Sequence, residues 1–274
     1  MQRLRRLLGR RSSRFDEGAF VIEGTSLLSQ AFLSGWDIES VFLASGTVPE
    51  ALDVPRAFAA SSISVFELAP KVMERVASTE TPPPLLSVVR IRSAPLSRVG
   101  ETSFVVVGDR INDPGNAGTM LRSAEAAGAG LVVFTEGSVD VFNPKVVRAS
   151  AGALFTVGVV VAATLEAVIE TARAARPPRW VFGTSSHHLD SPGVSSMSYL
   201  ETDFTVPTVL VLGNEAQGLS ADADVDAWVS IPHAGRSESL NVAMAATVLA
   251  FEVARQRSTT VGNVSARPAE GSSR

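Results

Sequence analysis

Residues 104–129 read FVVVGDRINDPGNAGTMLRSAEAAGA, and GLVVF follows at residues 130–134. The uninterrupted apolar run at the start is typical of a strand that is buried on both faces. A glycine-containing loop and a helical pattern follow it, and then a second apolar strand begins. This strand–helix–strand order predicts an α/β fold with a mostly parallel sheet.

The same alternation extends in both directions from this stretch. Further strands are predicted at TVGVVVA (156–162), RWVFGTS (179–185), TVLVLGNE (208–215) and WVSIP (228–232), and a closing helix at about 239–257. Shorter strands and helices alternate upstream as well. The predicted divisions are a basic arm at 1–14, a small α/β domain at 15–90, a linker at 91–102, a larger α/β domain at 103–257 and a disordered tail at 258–274.

Composition excludes several kinds of site. The 274 residues include no cysteine, which rules out disulfides, zinc–thiolate sites and a cysteine nucleophile. His187, His188 and His233 lack the spacing of metal ligands, so we predict no metal site. No apolar run is long enough to span a membrane, and the N-terminus lacks the apolar core of a secretory signal. We therefore expect a cytoplasmic protein.

Charge is unevenly distributed along the chain. The net charge is -4, yet six arginines lie within the first fourteen residues. Such a cluster is either a solvated tail or an arm that neutralises nucleic-acid phosphates. For the second interpretation, the candidate nucleic-acid contacts are Arg10, Arg11 and Arg14 in this cluster, together with Lys145 and Arg148 farther along the chain.

Three polar loops follow buried strands, at the edge where open α/β sheets bind ligands. They are residues 108–118, 213–220 and 233–241, and none has the glycine spacing of a dinucleotide or nucleoside-triphosphate site. Each loop also has a simple structural explanation. The first can be a glycine-rich turn, Glu215 can cap the turn in the second, and Ser237 or Ser239 can cap the helix that follows the third. Asn241 would then lie inside an apolar helix and would need a partner. Arg122, predicted near the start of its helix, would oppose the helix dipole and favour a nearby anion or polar transition state.

Together the three loops resemble the three motifs of the SPOUT methyltransferases, in the SpoU/TrmH family of RNA ribose 2′-O-methyltransferases. NAGTMLRSAEAAGA (116–129) is similar to the first motif, LVLGNEAQGLS (210–220) to the second and IPHAGRSESLNVAMAA (231–246) to the third. The small domain resembles the family's ribosomal-protein-like substrate-binding domain. The resemblance implies a deep trefoil knot, bound S-adenosylmethionine and a homodimer.

The resemblance also implies roles for particular residues. Arg122 would clamp the RNA phosphate and stabilise the developing oxyanion, since a permanently charged guanidinium is a poor base. Asn116 would orient the ribose or Arg122, and Glu215 would hold Arg122 or its partner loop. Ser239 and Asn241 would fix the substrate and the knot loops. The implied cofactor-binding positions are Gly183, Thr184, Leu212, Gly213, Ile231 and Leu240.

The resemblance leaves the substrate and two rival functions open. Ribosomal RNA is the expected substrate and transfer RNA is the alternative, while housekeeping modification and antibiotic resistance are not distinguished. A non-catalytic RNA-binding protein of the same fold would be expected to lose Arg122, Glu215 or Asn241, and all three are present. A nicotinamide-dependent enzyme would be expected to carry the missing glycine fingerprint.

Overall fold

The structure is a computed structural model that describes residues 1–48, 52, 54–55, 58, 61–77, 81–185, 196–232 and 239–265. His187, His188, His233 and Ser237 lie outside the described residues. None of the described helices combines the length and the apolar character needed to cross a membrane. Within the described part of the chain, no group of three or more histidine or acidic side chains is placed to hold a metal ion.

The N-terminal third forms a four-stranded sheet with the order β1-β4-β2-β3. Strand β3 runs parallel to β2, and the other two pairings are antiparallel. The strands are β1 (Ala19–Glu23), β2 (Ile38–Ala44), β3 (Ser64–Leu68) and β4 (Leu85–Arg90). The helices are α1 (Gln2–Gly9), α2 (Arg11–Glu17), α3 (Thr25–Leu33) and α4 (Pro70–Val76).

The first fourteen residues are part of this domain, so the prediction of a separate basic arm is wrong. Leu4 and Leu7 are buried against the small sheet, beside Val21 and Leu86. Their spacing of three places both leucines on one face of α1. Arg3 forms ion pairs with Glu17 and Glu39, which neutralises part of the basic cluster.

The remainder of the chain forms a seven-stranded sheet in which every neighbouring pair is parallel, as predicted. Its order is β7-β6-β5-β10-β8-β11-β9. The strands are β5 (Phe104–Gly108), β6 (Leu131–Thr135), β7 (Gly158–Ala163), β8 (Trp180–Thr184), β9 (Ser196–Ser198), β10 (Thr208–Leu212) and β11 (Ala227–Ser230). The helices are α5 (Arg98–Glu101), which lies in the predicted linker, α6 (Pro114–Ala126), α7 (Pro144–Ala149), α8 (Ala153–Thr156), α9 (Leu165–Ala174) and α10 (Val242–Ser265).

Helix α10 differs from its prediction at both ends. It begins at Val242 and not near Ser239, because Asn241 caps it instead of lying inside it. It also continues to Ser265, so residues 258–265 are helical where a disordered tail was predicted.

The two sheets share one continuous apolar core. Phe20 of β1 packs against Phe142 and Phe155 of the large domain, with ring centroids 5.1 and 6.5 Å apart. The indole Nε1 of Trp36 donates a hydrogen bond of 3.0 Å to the carbonyl of Phe155. The small domain is therefore held in a fixed position beside the loops at the carboxyl ends of β5 and β6.

Candidate active site at the carboxyl edge of the large sheet

Residues 239–241, the described part of the third polar loop, meet the other two polar loops in a cleft of about 830 Å³. The cleft lies at the carboxyl ends of β8, β10 and β11, where the N-termini of α6 and α10 also converge. Of the predicted site residues, those that line it are Asn116, Thr184, Leu212, Gly213, Glu215, Ile231, Ser239, Leu240 and Asn241. The structure therefore brings together residues that are separated by more than a hundred positions in sequence.

Glu215 connects the loop after β10 to the loop after β5. Its carboxylate accepts hydrogen bonds from the backbone amides of Asn112 and Asp113, at 3.2 and 3.1 Å. It also accepts one of 3.0 Å from the side-chain Nδ2 of Asn116. Glu215 thus connects these two loops through three hydrogen bonds.

Asn116 and Asn241 extend this network to α10. Asn241 Oδ1 accepts from the backbone amides of Ala243 and Met244, so its Nδ2 is directed outward and donates to Asn116 Oδ1 at 3.0 Å. Since a carboxylate only accepts, Asn116 Nδ2 must face Glu215. Glu215 at one end of the network and the backbone amides of α10 at the other therefore fix the orientation of the Asn116 and Asn241 side-chain amides.

The loop after β10 is a tight turn held by Asn214. Its Oδ1 accepts from the amides of Ala216 and Gln217, and its Nδ2 donates to the carbonyl of Arg110 at 2.8 Å. The turn closes directly on Gly213, where an added Cβ would lie 2.0 Å from the backbone nitrogen of Leu219. Only glycine fits at that point, so Gly213 shapes the cleft wall through its backbone.

Asp113, which the sequence reasoning did not single out, begins α6. Its Oδ1 accepts from the amide of Asn116 at 2.8 Å, and Pro114 occupies the first helical position. An Asp–Pro pair before a helix is a recognisable start signal, so the sequence did contain this information. The cap places Asn116 at the third helical residue, facing Glu215.

Glu215 remains ionised at neutral pH. Burial by itself raises the pKa of this carboxyl, but hydrogen bonds from the Asn116 side chain and from the backbone amides of the neighbouring loops lower it below its ordinary value. A carboxylate with a lowered pKa and its oxygens occupied is a weak base. The Glu215 carboxylate is therefore suited to hold the loops and to supply negative charge.

Two predicted site residues lie elsewhere. Arg122 is exposed in the third turn of α6, about 240° around the helix axis from Asn116. The expectation that it lies at the helix start, against the dipole, is wrong. Arg122 is not among the described residues that line the cleft, and neither is Gly183, which packs behind it against Leu219 and Val225.

The five predicted RNA contacts fall into two groups. Arg10, Arg11 and Lys145 are exposed. Arg148 is half-buried and pairs with Glu23 at 2.5 Å, and Arg14 is only 3% exposed and pairs with Asp140. Arg14 is therefore a structural residue in this conformation, and its side chain is not on the surface where RNA would bind.

The described lining of the cleft is negatively charged, which suits a cation. Among the described residues that line it, the charged ones are the acids Asp113 and Glu215. Val242, Ala245 and Leu249 add an apolar wall from α10. A cleft of this kind suits a ligand that combines a positive centre with an apolar or aromatic part, and it disfavours one rich in phosphate.

Two family models match the chain. A model described as the SpoU rRNA Methylase family matches residues 103–251, and one described as the MRM3-like substrate binding domain matches residues 1–87. Over 269 residues the chain is 34% identical to the 23S rRNA (uridine(2479)-2'-O)-methyltransferase of Streptomyces viridochromogenes, covering 93% of this chain and 89% of that one. It is 29% identical to the 23S rRNA (guanosine(2553)-2'-O)-methyltransferase RlmP of Bacillus subtilis, with 89% and 91% covered.

Solved structures show the same likeness over nearly the full length. The SpoU methyltransferase AviRb from Streptomyces viridochromogenes, in complex with the cofactor AdoMet, superposes with a TM-score of 0.81 at 32% identity, covering 94% of this chain and 98% of that one. An AdoMet-bound rRNA methyltransferase from Sinorhizobium meliloti gives a TM-score of 0.79 at 31% identity, with 93% of each chain covered.

Proposed function

The chain belongs to the SpoU rRNA methylase family, and from this membership we propose that it transfers the methyl group of S-adenosylmethionine to a ribose 2′-hydroxyl of ribosomal RNA. The observation that carries the proposal is the hydrogen-bonded series Glu215–Asn116–Asn241, which joins all three motif loops around one cleft. The two relatives compared above are named as 23S rRNA 2′-O-methyltransferases, which favours ribosomal over transfer RNA.

The residues of the cleft fit S-adenosylmethionine. When bound, this cofactor supplies the methyl group from a positively charged sulfonium. The acidic lining by Asp113 and Glu215 suits that charge, and the apolar wall from α10 suits the adenine. The backbone groups of Leu212, Gly213 and Ile231 lie at strand ends, where they can read the adenine edge. The two solved structures compared above were determined with AdoMet bound, which supports the same cofactor here.

The chain's own residues divide the remaining work. Glu215 holds the loop at 112–116, Asn116 presents its amide in the cleft, and Asn241 fixes both Asn116 and the start of α10. Ser239 lies at the rim, where its hydroxyl can contact the ribose. Glu215 is too weak a base to take the 2′-hydroxyl proton, since its hydrogen bonds keep its pKa low.

Arg122 is the residue that we propose contacts the RNA phosphate and stabilises the developing charge on the 2′-oxygen. It is exposed on α6, the helix whose first turn lines the cleft, and no ion pair involves it among the described residues. A guanidinium that is not neutralised within the protein is free to bind an anion bidentately.

We propose that two chains form a homodimer through α10 and the adjoining face of α6. Met244, Val248 and Phe251 are 62%, 37% and 49% exposed, and their spacing places them in one apolar stripe on α10. The two helices lie side by side, since the hydroxyls of Ser123 and Thr247 share a hydrogen bond of 2.7 Å. A second copy would cover the stripe and would place Arg122 at the subunit interface.

The dimer is tested by the mass of the particle in solution. Met244→Glu with Phe251→Glu is expected to convert a particle of two chains into monomers, because two charges would be buried without partners. Leu33→Glu, at a leucine of the small domain that is 70% exposed, is the control and should leave the mass unchanged. A wild-type monomer at micromolar concentration would overturn the dimer proposal.

The trefoil knot of the family also remains a proposal for this chain. Strand β10 lies between β5 and β8, while β11, which follows β10 in sequence, lies on the far side of β8. The chain must therefore cross β8 between these two strands, which supports a knotted path. An rRNA substrate further implies that the protein acts in the cytoplasm, where ribosomal RNA is found.

The proposed activity is tested with purified protein, radiolabelled S-adenosylmethionine and unmodified 23S, 16S and transfer RNA. Label should enter one 23S nucleotide, and resistance of the adjoining phosphodiester to alkaline hydrolysis should identify a 2′-O-methyl group. Glu215→Gln is the variant expected to be impaired. Methylation of a base would contradict the proposed reaction. Label that enters only transfer RNA would contradict the proposed substrate.

A further inference from the structure

We propose that Arg14 and Asp140 are positioning residues, through which the N-terminal helices hold the catalytic loop, residues 108–116, in its working arrangement. The sequence predicted that Arg14 binds RNA, and the contacts give it a different role. The expected effect on kcat rests on the proposed methyl transfer, whereas the expected effect on the structure of the loop does not.

The ion pair between Arg14 and Asp140 joins the two domains. Asp140 Oδ2 accepts from Arg14 Nε at 2.6 Å, and the terminal nitrogen Nη2 lies 2.5 Å from the same oxygen. The two side chains are 3% and 4% exposed. The other terminal nitrogen donates to the carbonyl of Leu7 at 2.6 Å, in the last turns of α1. Arg14 therefore ties α1 and α2 together and fixes both to the segment that contains Asp140.

That segment, residues 138–140, is bonded to the catalytic loop. The amide of Val139 donates to the carbonyl of Ile111 at 2.7 Å, and the amide of Ile111 donates to Ser138 Oγ at 3.1 Å. Arg11 adds a contact from α2, since its Nη1 lies 3.5 Å from the carbonyl of Ser138. Two residues of α2 thus fix the short segment on which Ile111 depends.

From Ile111 the contacts continue into the cleft. The next two residues, Asn112 and Asp113, donate their amides to Glu215. On the other side of Ile111 stands Arg110, whose φ of 51° is in the left-handed region that arginine rarely adopts. Such a conformation persists only where its surroundings enforce it, and here Thr135 and Asn214 bind its amide and carbonyl. A loop under strain needs an external support, which the segment 138–140 provides.

The first test measures amide hydrogen exchange and does not depend on activity. Asp140→Asn keeps the acceptor for the amide of Phe142 but removes the charge, and Arg14→Met with Asp140→Asn removes both charges together. In both variants, exchange at residues 109–116 should rise by about tenfold or more, because the segment 138–140, which supplies the acceptor of the Ile111 amide, is released and the loop opens more often. The control is Trp36→Phe, which removes another hydrogen bond between the domains and should leave exchange at 109–116 unchanged.

The second test separates positioning from RNA binding. In the variants without the ion pair, kcat should fall by about tenfold to a hundredfold while KM for RNA stays constant, because only the catalytic loop is displaced. Trp36→Phe should lower the melting temperature without changing kcat. Unchanged exchange at 109–116, or a raised KM for RNA at constant kcat, would overturn the inference. If the wild-type protein methylates no RNA, the proposed function fails, and hydrogen exchange alone decides the coupling.

Discussion

Glu215 shows how one side chain can hold two loops of the candidate site together. Its two oxygens bind backbone amides of the loop after β5, so the contact does not depend on which side chains stand at positions 112 and 113. The same donors stabilise its charged form and lower its pKa. A residue that holds the loops in this way must stay ionised at every pH at which the enzyme works.

The pH dependence of stability tests this role of Glu215. At pH 7, Glu215→Gln should destabilise the protein by about 1 kcal/mol. A buried hydrogen bond to a charged group contributes somewhat more than this, but the Glu215 side chain is exposed and its hydrogen bonds are therefore weakened by solvent. The folded-state pKa is lowered from 4.5, so the contribution is present above that pH and is lost as the pH falls through the lower value. Melting temperatures of both proteins between pH 3 and pH 7 should converge in acid. A difference that is constant with pH would contradict the role.

Arg122 should affect catalysis and not cofactor binding. Arg122→Ala is expected to reduce kcat by about a hundredfold or more, as does removal of a group that stabilises a developing oxyanion. Calorimetry should show unchanged affinity for S-adenosylmethionine, because Arg122 does not line the cleft among the described residues. Arg122→Lys keeps the charge but loses the planar fork, and only partial activity is expected. Loss of cofactor affinity would mean that Arg122 is structural.

At the scale of the element, helix α10 combines two tasks at its first residues. Asn241 caps the helix through Oδ1 and reaches Asn116 through Nδ2. Asn241 therefore both stabilises the start of the helix and joins the helix to the site. The sequence pattern correctly indicated that Asn241 needs a partner, but it placed the residue inside the helix, whereas Asn241 precedes the first helical residue, Val242, and caps the helix.

Two substitutions separate the tasks of Asn241. Asn241→Asp keeps an oxygen for the amides of Ala243 and Met244, but it presents a second acceptor to Asn116 in place of a donor. It should reduce activity by about tenfold or more while stability changes little. Asn241→Ala removes both contacts and should also lower stability by about 1 kcal/mol, or a few degrees in melting temperature. Equal stability losses in the two variants would contradict the division.

The elements that were predicted correctly are those in which local pattern and burial agree. Strands β5, β6 and β10 are buried along their whole length, and an uninterrupted apolar run identifies such a strand. Helix α1 was missed because its three arginines were interpreted as a basic arm, although the spacing of Leu4 and Leu7 was visible. The pair Arg14–Asp140 could not be predicted, since the two residues are 126 positions apart and nothing local links them.

At the scale of the molecule, two exposed cations, Arg11 and Lys145, lie at the same edge of the large sheet as the cleft. Arg11 lies beside Ser138, in the loop after β6, and Lys145 is the second residue of the helix that follows this loop. The net charge of -4 is therefore compatible with an RNA-binding surface that is local.

This surface should appear in the salt dependence of RNA binding. Arg10→Ala with Arg11→Ala is expected to weaken binding and to reduce the slope of log K against log salt by about 0.7 to 0.9 for each phosphate that is no longer neutralised. Arg176→Ala is the control, because this exposed arginine precedes β8 and so lies at the opposite edge of the large sheet. A slope that is equally reduced in the control would point to general charge and not to a defined surface.

The shared core has a consequence for the order in which the protein is made. The small sheet is complete once residue 90 has left the ribosome, but Phe142 and Phe155, which cover Phe20, are synthesised later. At about 5–20 residues per second, the apolar face around Phe20 is uncovered for several seconds. The nascent small domain should therefore bind chaperones that recognise exposed apolar surface, until the first half of the large sheet emerges and covers it.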